Sequence, residues 1–393
     1  MSDTAATPVT ASERIELLDV LRGVALFGIF VVNLPLIGLP FSEAMGEASV
    51  WDTGNADTWT AALVRMLAEN KFMALFSTLF GMGLALQVDR ATNRGVQLSS
   101  FYPRRLLVLA VFGVCNAVLI FFGDILLPYA IAGTVLYLMR ECTPRAMLWI
   151  AAVFLLIGVT LSVVVEGGLL GDLGGEGGEG ERELDRALAE GSFYEGSVAR
   201  GQIYLFWLFL SSIIAFNWRI LALFFLGAAL MRLGWASRDK AAQHRRAMVV
   251  GLSVGVLMEG GSLLLHGREG LSAGLRVTDV LLHQLGGLAL SAGYAGAVAT
   301  WCWSGGFDRL RCAIACTGRM ALTNYLGQNL VAGLIFYGHG LGMAGALSRP
   351  AVFAVGCGIY ACQVALSSWW MGRASSGPFE RLWRWLTYPR RAA

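Results

Sequence analysis

Three polar residues interrupt the apolar segment LDVLRGVALFGIFVVN at residues 18–33: Asp19, Arg22 and Asn33. In an α-helix, at ~100° per residue, the step from Arg22 to Asn33 closes three turns with ~20° of offset, so the two share a face ~17 Å apart along the axis. Asp19 lies one turn below Arg22 on roughly that face. Such a face has two uses. It is either an interfacial Asp–Arg pair with an amide that bonds a neighbouring helix, or the lining of a path with a cation at one end and an amide at the other. Asp279 and His283 are spaced for acid–base work, because residues four apart on a helix meet and the carboxylate can orient the imidazole. Asp124, in FFGDILL at a turn between two apolar runs, is either a desolvated carboxylate of raised pKa or the cap of the helix that follows.

Other polar groups sit at the ends of apolar runs. Lys71 opens one run, where a snorkelling anchor is the usual explanation. Arg104, Arg105 and Arg319 begin others and are placed either to hold phosphates or simply to set membrane orientation. Asn324 and Gln328, four apart, offer a polar lining or a helix-packing contact. Of four histidines, His244 falls in a basic loop, whereas His266, His283 and His339 fall toward one side of the membrane. The seven cysteines lack paired CxxC spacing and read as small buried hydrophobes, so no metal is expected. Nothing beyond the histidine positions supports a haem bridged between them, and none is expected. The glycines of GMG at 81–83 suit close helix approach rather than a phosphate cradle.

The elements that must position these groups are membrane helices. The 393 residues are 56% hydrophobic and 15% charged, with repeated apolar runs long enough to cross a ~30 Å hydrocarbon core. Eleven runs are visible, near 15–39, 71–89, 104–122, 124–140, 146–166, 201–216, 219–233, 247–265, 279–303, 318–338 and 350–371. Arginine-rich connections at 90–105, 140–145, 232–246 and 304–319, and the tail, belong on the cytoplasmic side by the positive-inside rule. Alternation then gives about ten crossings with both termini cytoplasmic, and one of the runs 201–216 and 219–233 lying in the interface or only partly inserted. The fold class is all-α, a polytopic helical bundle. It divides into an N-terminal bundle at 1–166, a flexible external Gly/Glu-rich loop at 167–200 with a short helix at ERELDRALAE, and a C-terminal membrane unit at 201–393. The first segment carries no basic region before a short apolar core and reads as an uncleaved span. The tail, with Trp383 and Trp385, reads as an amphipathic anchor on the inner leaflet. The net charge of +3 comes mostly from arginine in short loops, so lipids rather than nucleic acid are the implied partners. Glycine-rich spans allow helix-mediated homodimers.

The segment LDVLRGVALFGIFVVN resembles the first helix of the membrane acyltransferase superfamily, which groups bacterial integral-membrane O-acyltransferases, heparan-α-glucosaminide N-acetyltransferases and the YeiB family. KFMALFSTLFGMG, GDILLPYAIAG, GRMALTNYLGQN and GPFERLWRWLTY resemble the YeiB family and its C-terminal domain of unknown function 418 in particular. The resemblance implies a protein of the bacterial inner membrane that takes an acyl group from cytoplasmic acyl-coenzyme A and delivers it to a small-molecule or glycan acceptor outside. On that reading Arg22, Arg104, Arg105 and Arg319 would meet coenzyme A, Asn33 would bond the thioester carbonyl or its oxyanion, and His283 or Asp124 would deprotonate the acceptor. Asp19, Lys71, Asn324 and Gln328 would line the substrate path. The O-acyltransferase branch has a catalytic histidine where this chain has Asn33. The heparan-acetylating branch has asparagine there and a working histidine in the next external loop, whereas residues 40–60 here contain none. A transporter for a small, perhaps acyl-bearing molecule and a non-catalytic lipid- or partner-binding protein are the competing expectations.

Overall fold

The computed structural model describes residues 15–45, 55–95, 97–167, 179–213, 216–268 and 270–388. Among them the regular structure is helical, without strands. The first half comprises α1 (Glu16–Asn33), α2 (Pro35–Gly38), α3 (Phe41–Met45), α4 (Ala56–Leu67), α5 (Lys71–Asn93), α6 (Tyr102–Leu119), α7 (Leu126–Leu138) and α8 (Pro144–Val165). The rest comprises α9 (Glu179–Ala189), α10 (Phe193–Ile213), α11 (Phe216–Arg232), α12 (Ala241–Leu265), α13 (Ala273–Ser304), α14 (Asp308–Arg319), α15 (Ala321–Phe336), α16 (Arg349–Met371) and α17 (Pro378–Thr387). Each of the eleven apolar runs becomes a helix. Among the described residues, seven helices, counting α1 with α2 and α4 with α5 as continuous, are long and apolar enough to cross a membrane by length and composition. Large apolar side chains on the outer faces, such as Trp149, Leu156, Leu257 and Leu366, are exposed from the protein, as lipid-facing positions must be.

Helix boundaries follow local chemistry. Asn55 caps α4 by accepting from the backbone N–H of Asp57 and Thr58, and Thr143 and Ser272 cap α8 and α13 in the same way. Ser192 and Glu195 form a reciprocal capping box, each side chain accepting from the other's backbone N–H. That box starts α10 at residue 193, inside the stretch read from sequence as loop to residue 200. The expected short helix there is α9, while residues 168–178 lie outside the described residues.

Glycines set the tightest crossings. A Cβ at Gly81 would fall onto the backbone of Phe224, and one at Gly227 onto that of Thr78, so α5 and α11 meet backbone to backbone. Gly251, Gly293 and Gly296 do the same for the α12–α13 hairpin. Gly23 and Gly318 bring α14 onto α1. Residues 304–319 were read as a connection because of their arginines, yet most of them form α14, whose Arg311 pairs with Glu16 at 3.0 Å. Helices from both halves of the chain therefore interleave.

The two ends of the bundle are built differently. At one end the tail helix α17 is clamped in place. Glu380 accepts from the backbone N–H of Leu322 and Thr323, capping α15, and Trp383 donates to the Arg105 carbonyl while the Arg105 guanidinium lies 3.6 Å over its ring. Arg232 closes the same end by donating to the carbonyls of Arg140 and Cys142. At the other end Arg349 donates its backbone N–H to Asp57, and fully buried Arg200 donates to the carbonyls of Val118 and Leu119. Helix α10 starts with Phe193 packed on His339 and leaves Leu205, Phe206 and Phe209 exposed along its outer face.

Replacing Gly227 by valine puts two methyls into the Thr78 backbone and is expected to destabilise the protein by about 2 kcal/mol or more. Gly201→Ala, which meets open space on α10, is expected to be neutral or stabilising by up to about 1 kcal/mol. Melting curves of the two variants in detergent check both.

Candidate functional site: a polar cavity at one end of the bundle

A cavity of about 680 Å³ opens where α1, α4, α5, α8, α10, α11, α13 and α16 converge with the α6–α7 turn. Its walls are largely apolar, with Ile29, Met73, Pro128 and Trp207 among them, and its polar groups come from distant parts of the chain. Asn33, Asp124, Asp279 and His283 all line it. So do Arg65, Glu69, Asn70, Glu166, Arg219, His266, Gln284 and Arg349.

Behind the wall lies a buried charged network. Asn70 adopts the left-handed conformation (φ 65°) at the corner joining α4 to α5, a role asparagine tolerates better than most residues. The corner presents the Asn70 amide 2.9 Å from His283 Nε2 and directs Lys71 inward. Lys71 and Glu259 are both fully buried and pair at 2.7 Å, and Lys71 also donates to the Arg65 carbonyl. Glu259 reaches His283 Nδ1 with its other oxygen at 3.0 Å, while an Arg65 nitrogen converges on that same ring nitrogen at 2.7 Å. Lys71 is thus no snorkelling anchor. The residue that draws it inward is an acid in the middle of an apolar run.

Asp279 and His283 do share a face of α13, but the expected pairing between them does not form. Helix α12 runs antiparallel beside α13 and offers each a partner from across the hairpin. Glu259 meets His283, while Ser262 donates to Asp279 and His266 Nδ1 lies 3.3 Å from the second Asp279 oxygen. Arg65 joins the two rungs, with one nitrogen 3.3 Å from Ser262 Oγ and another 3.5 Å from Asp279. Asp279–His266 is therefore a carboxylate–imidazole pair that lines the cavity.

Asp124 performs the capping role. One oxygen accepts from the backbone N–H of Leu126 and Leu127 at the start of α7, and the other accepts from Asn116 at 2.8 Å with the Tyr325 hydroxyl at 3.5 Å. Its turn is sunk among buried Phe121, Phe122 and Ile125, and the α7 that follows has only 13 residues, ~20 Å of helix. Four residues of the cavity wall each have a buried atom without a partner among the described residues: Asn33 Nδ2, Arg219 Nη2, Tyr204 Oη and Gln284 Oε1.

The remaining expected site residues lie elsewhere. Asp19 and Arg22 pair at 3.1 Å near the opposite end. Between Arg22 and Asn33, Leu26 and Phe30 are buried and Ile29 forms part of the cavity wall, so the face is packed below Ile29 and opens only at the Asn33 end. Arg104 is exposed, Arg105 is stacked on Trp383, and Arg319 closes α14 with its Nε buried and unpartnered. Asn324 donates to the Thr317 carbonyl and to Ser367, a helix-packing contact, and Gln328 is fully buried beside it. His244 is a buried structural group, accepting from Trp303 and donating to the Trp235 carbonyl. His339 lies in the loop after α15 against Phe193 and Tyr337, where burial first and the Arg200 charge second hold its imidazolium below the usual pKa. Sequence reasoning missed Arg65, Asn70, Glu166, Arg219, Glu259, Ser262 and Gln284. An acid inside the run 247–265 was the available signal for Glu259, and the arginine in FNWR for Arg219.

The family model described as "Protein of unknown function (DUF418)" matches residues 230–390. The uncharacterized protein YeiB of Escherichia coli (strain K12) is 31% identical over 400 residues, covering 95% of this chain and 96% of its own. The chain belongs to the YeiB family. The uncharacterized protein YxaH of Bacillus subtilis (strain 168) is 30% identical over 408 residues, with 97% and 96% covered. An uncharacterized 39.9 kDa protein from the amylase 3′ region of Bacillus acidopullulyticus is 27% identical over 393 residues, with 98% and 96% covered. In this YeiB-family chain the segment matched by the DUF418 model supplies Glu259, His266, Asp279 and His283. Asn33, Arg65, Asn70, Lys71, Asp124 and Arg219 come from outside it.

Removing one member of the Lys71–Glu259 pair strands the other charge. Lys71→Met and Glu259→Leu are each expected to cost about 3–5 kcal/mol, and the double variant to recover most of that loss. Thermal melts of the three variants measure it; additive losses would show that the two charges are not coupled.

Proposed function

We propose that the protein is a membrane acyltransferase and that the cavity is where an acceptor is acylated. The single observation that carries this reading is convergence: Asn33, Asp124, Asp279 and His283 are scattered over some 250 positions of sequence yet line one cavity. With Asp279 on His266 Nδ1, His266 takes the proton from an acceptor hydroxyl or amine. The acceptor oxygen or nitrogen bonds to the acyl carbonyl carbon, whose oxyanion takes a hydrogen bond from unpartnered Asn33 Nδ2. The carbon–sulfur bond then breaks, and coenzyme A leaves as a thiolate that recovers the proton. His283 is held at both ring nitrogens, and Asp124 is committed to capping, so both position the site rather than serve as its base.

In this reading the chain crosses the bacterial inner membrane ten times with both termini in the cytoplasm. The cavity end faces out, and the Arg22, Arg104, Arg105 and Arg319 end faces cytoplasmic acyl-coenzyme A. Leu26 and Phe30 must part for the pantetheine arm to pass. That packed stretch also favours a second reading: a cavity closed toward one end is what one state of an alternating-access carrier presents.

Transfer of radiolabelled acetyl from acetyl-coenzyme A to a membrane extract, with purified protein in liposomes, separates the two. Acyl transfer predicts a labelled product, with a loss of about 10²-fold or more in His266→Ala and in Asn33→Ala. Full activity in either folded variant removes that residue's role. Uptake of solute without any labelled product favours the carrier.

A further inference from the structure

We infer that the cavity has an oxyanion subsite centred on Arg219, so that its ligand carries a phosphate or a carboxylate. The inference deepens the reading of the cavity as an acceptor site and rests on it. Arg219 stands in the first turn of α11, at the positive end of that helix's dipole, and lines the cavity while only 4% exposed. Its Nη2 has no hydrogen-bond partner, and among the described residues it forms no ion pair. A buried guanidinium left with a free N–H is costly unless something on the cavity side completes it.

No carboxylate on the cavity forms an ion pair with Arg219 among the described residues. Asp124 caps α7 and takes the Asn116 amide, and Asp279 is shared among Ser262, His266 and Arg65. Glu166 and then Glu69 act on Arg219 from a distance; one Glu166 oxygen accepts from Gln284, and Glu69 is half-exposed, 4.0 Å from His283 Nε2. Arg349, another cavity arginine, is tied to the Glu43 carbonyl and carboxylate. Among the cavity arginines Arg65, Arg219 and Arg349, Arg219 has a buried donor without a partner among the described residues. On the same cavity, Tyr204 is buried with its hydroxyl unpartnered. A guanidinium N–H and a hydroxyl are both donors suited to an oxyanion. The apolar walls leave room for a chain or ring attached to it.

Binding is measured by calorimetry on the detergent-purified full chain with three probes and no acyl donor. They are dihexanoyl phosphatidic acid, the uncharged dihexanoylglycerol and glycerol 1-phosphate. Phosphatidic acid is expected to bind at least about tenfold tighter than the uncharged lipid, and Arg219→Gln to erase that difference. Tyr204→Phe is expected to weaken the phosphate probes several-fold, and Arg238→Gln, at the other end of the bundle, to leave them unchanged. Binding of phosphatidic acid alone assigns the oxyanion to a lipid headgroup, and equal binding of glycerol 1-phosphate assigns it to a soluble ligand. Equal affinity for charged and uncharged lipid overturns the inference, as does unchanged phosphate binding in folded Arg219→Gln. If that variant does not fold, the wild-type comparison and Tyr204→Phe still decide. Because no donor is present, a failure of acyl transfer leaves a positive result standing, and a negative result here leaves the role of His266 untouched.

Discussion

Two opposite charges with no solvent exposure, Lys71 and Glu259, hold the cavity end of this bundle together. Desolvating either alone would be prohibitive, so each dictates where the other must be and carries its helix with it. Lys71 fixes the start of α5 and, through the Arg65 carbonyl, the end of α4. Glu259 fixes the α12–α13 hairpin and hands its second oxygen to His283. Arg65 then spans both rungs of that hairpin, so one ion pair sets the register in which Asp279 meets His266. On this side Lys71, Glu259, His283, Arg65 and Asp279 each have a partner, whereas Asn33, Tyr204 and Arg219 each keep an uncommitted atom.

The helices supply the frame that makes this constraint tolerable. Glycine crossings at α5–α11, α12–α13 and α1–α14 bring backbones close enough for dispersion to replace the hydrophobic drive that lipid does not provide. The opposite end is held by capping and stacking instead, through Glu380 on α15 and Arg105 on Trp383. One end of the molecule is thereby closed by packing, and the other is hollow and polar.

Much of this was legible in the sequence, and for identifiable reasons. Apolar runs near 20 residues announce membrane helices, and polar residues inside them stand out because each carries a desolvation cost; Asn33, Asp279 and His283 were visible on that ground. Partnership was not legible. Spacing places Asp279 and His283 on one face, but whether they meet depends on what the neighbouring helix presents, and α12 presents Glu259, Ser262 and His266. The helix α14 was hidden by its arginines, which report membrane side and not conformation. Arg65 and Asn70 were hidden because a polar helix and a left-handed corner at the mouth of a span look like any connection. For Asp124 both the carboxylate and the cap were foreseen.

The proposed function requires that the convergent cavity be reached from the side of the membrane opposite the cytoplasm. That access is tested most directly by placing single cysteines at the cavity floor and at the opposite end, in a background where the seven native cysteines are replaced. A membrane-impermeant maleimide applied to intact, outer-membrane-permeabilised cells should label Asn33→Cys and leave Arg22→Cys unlabelled until the cells are broken. Labelling of Arg22→Cys from outside, with Asn33→Cys reached only from the cytoplasm, would contradict the account.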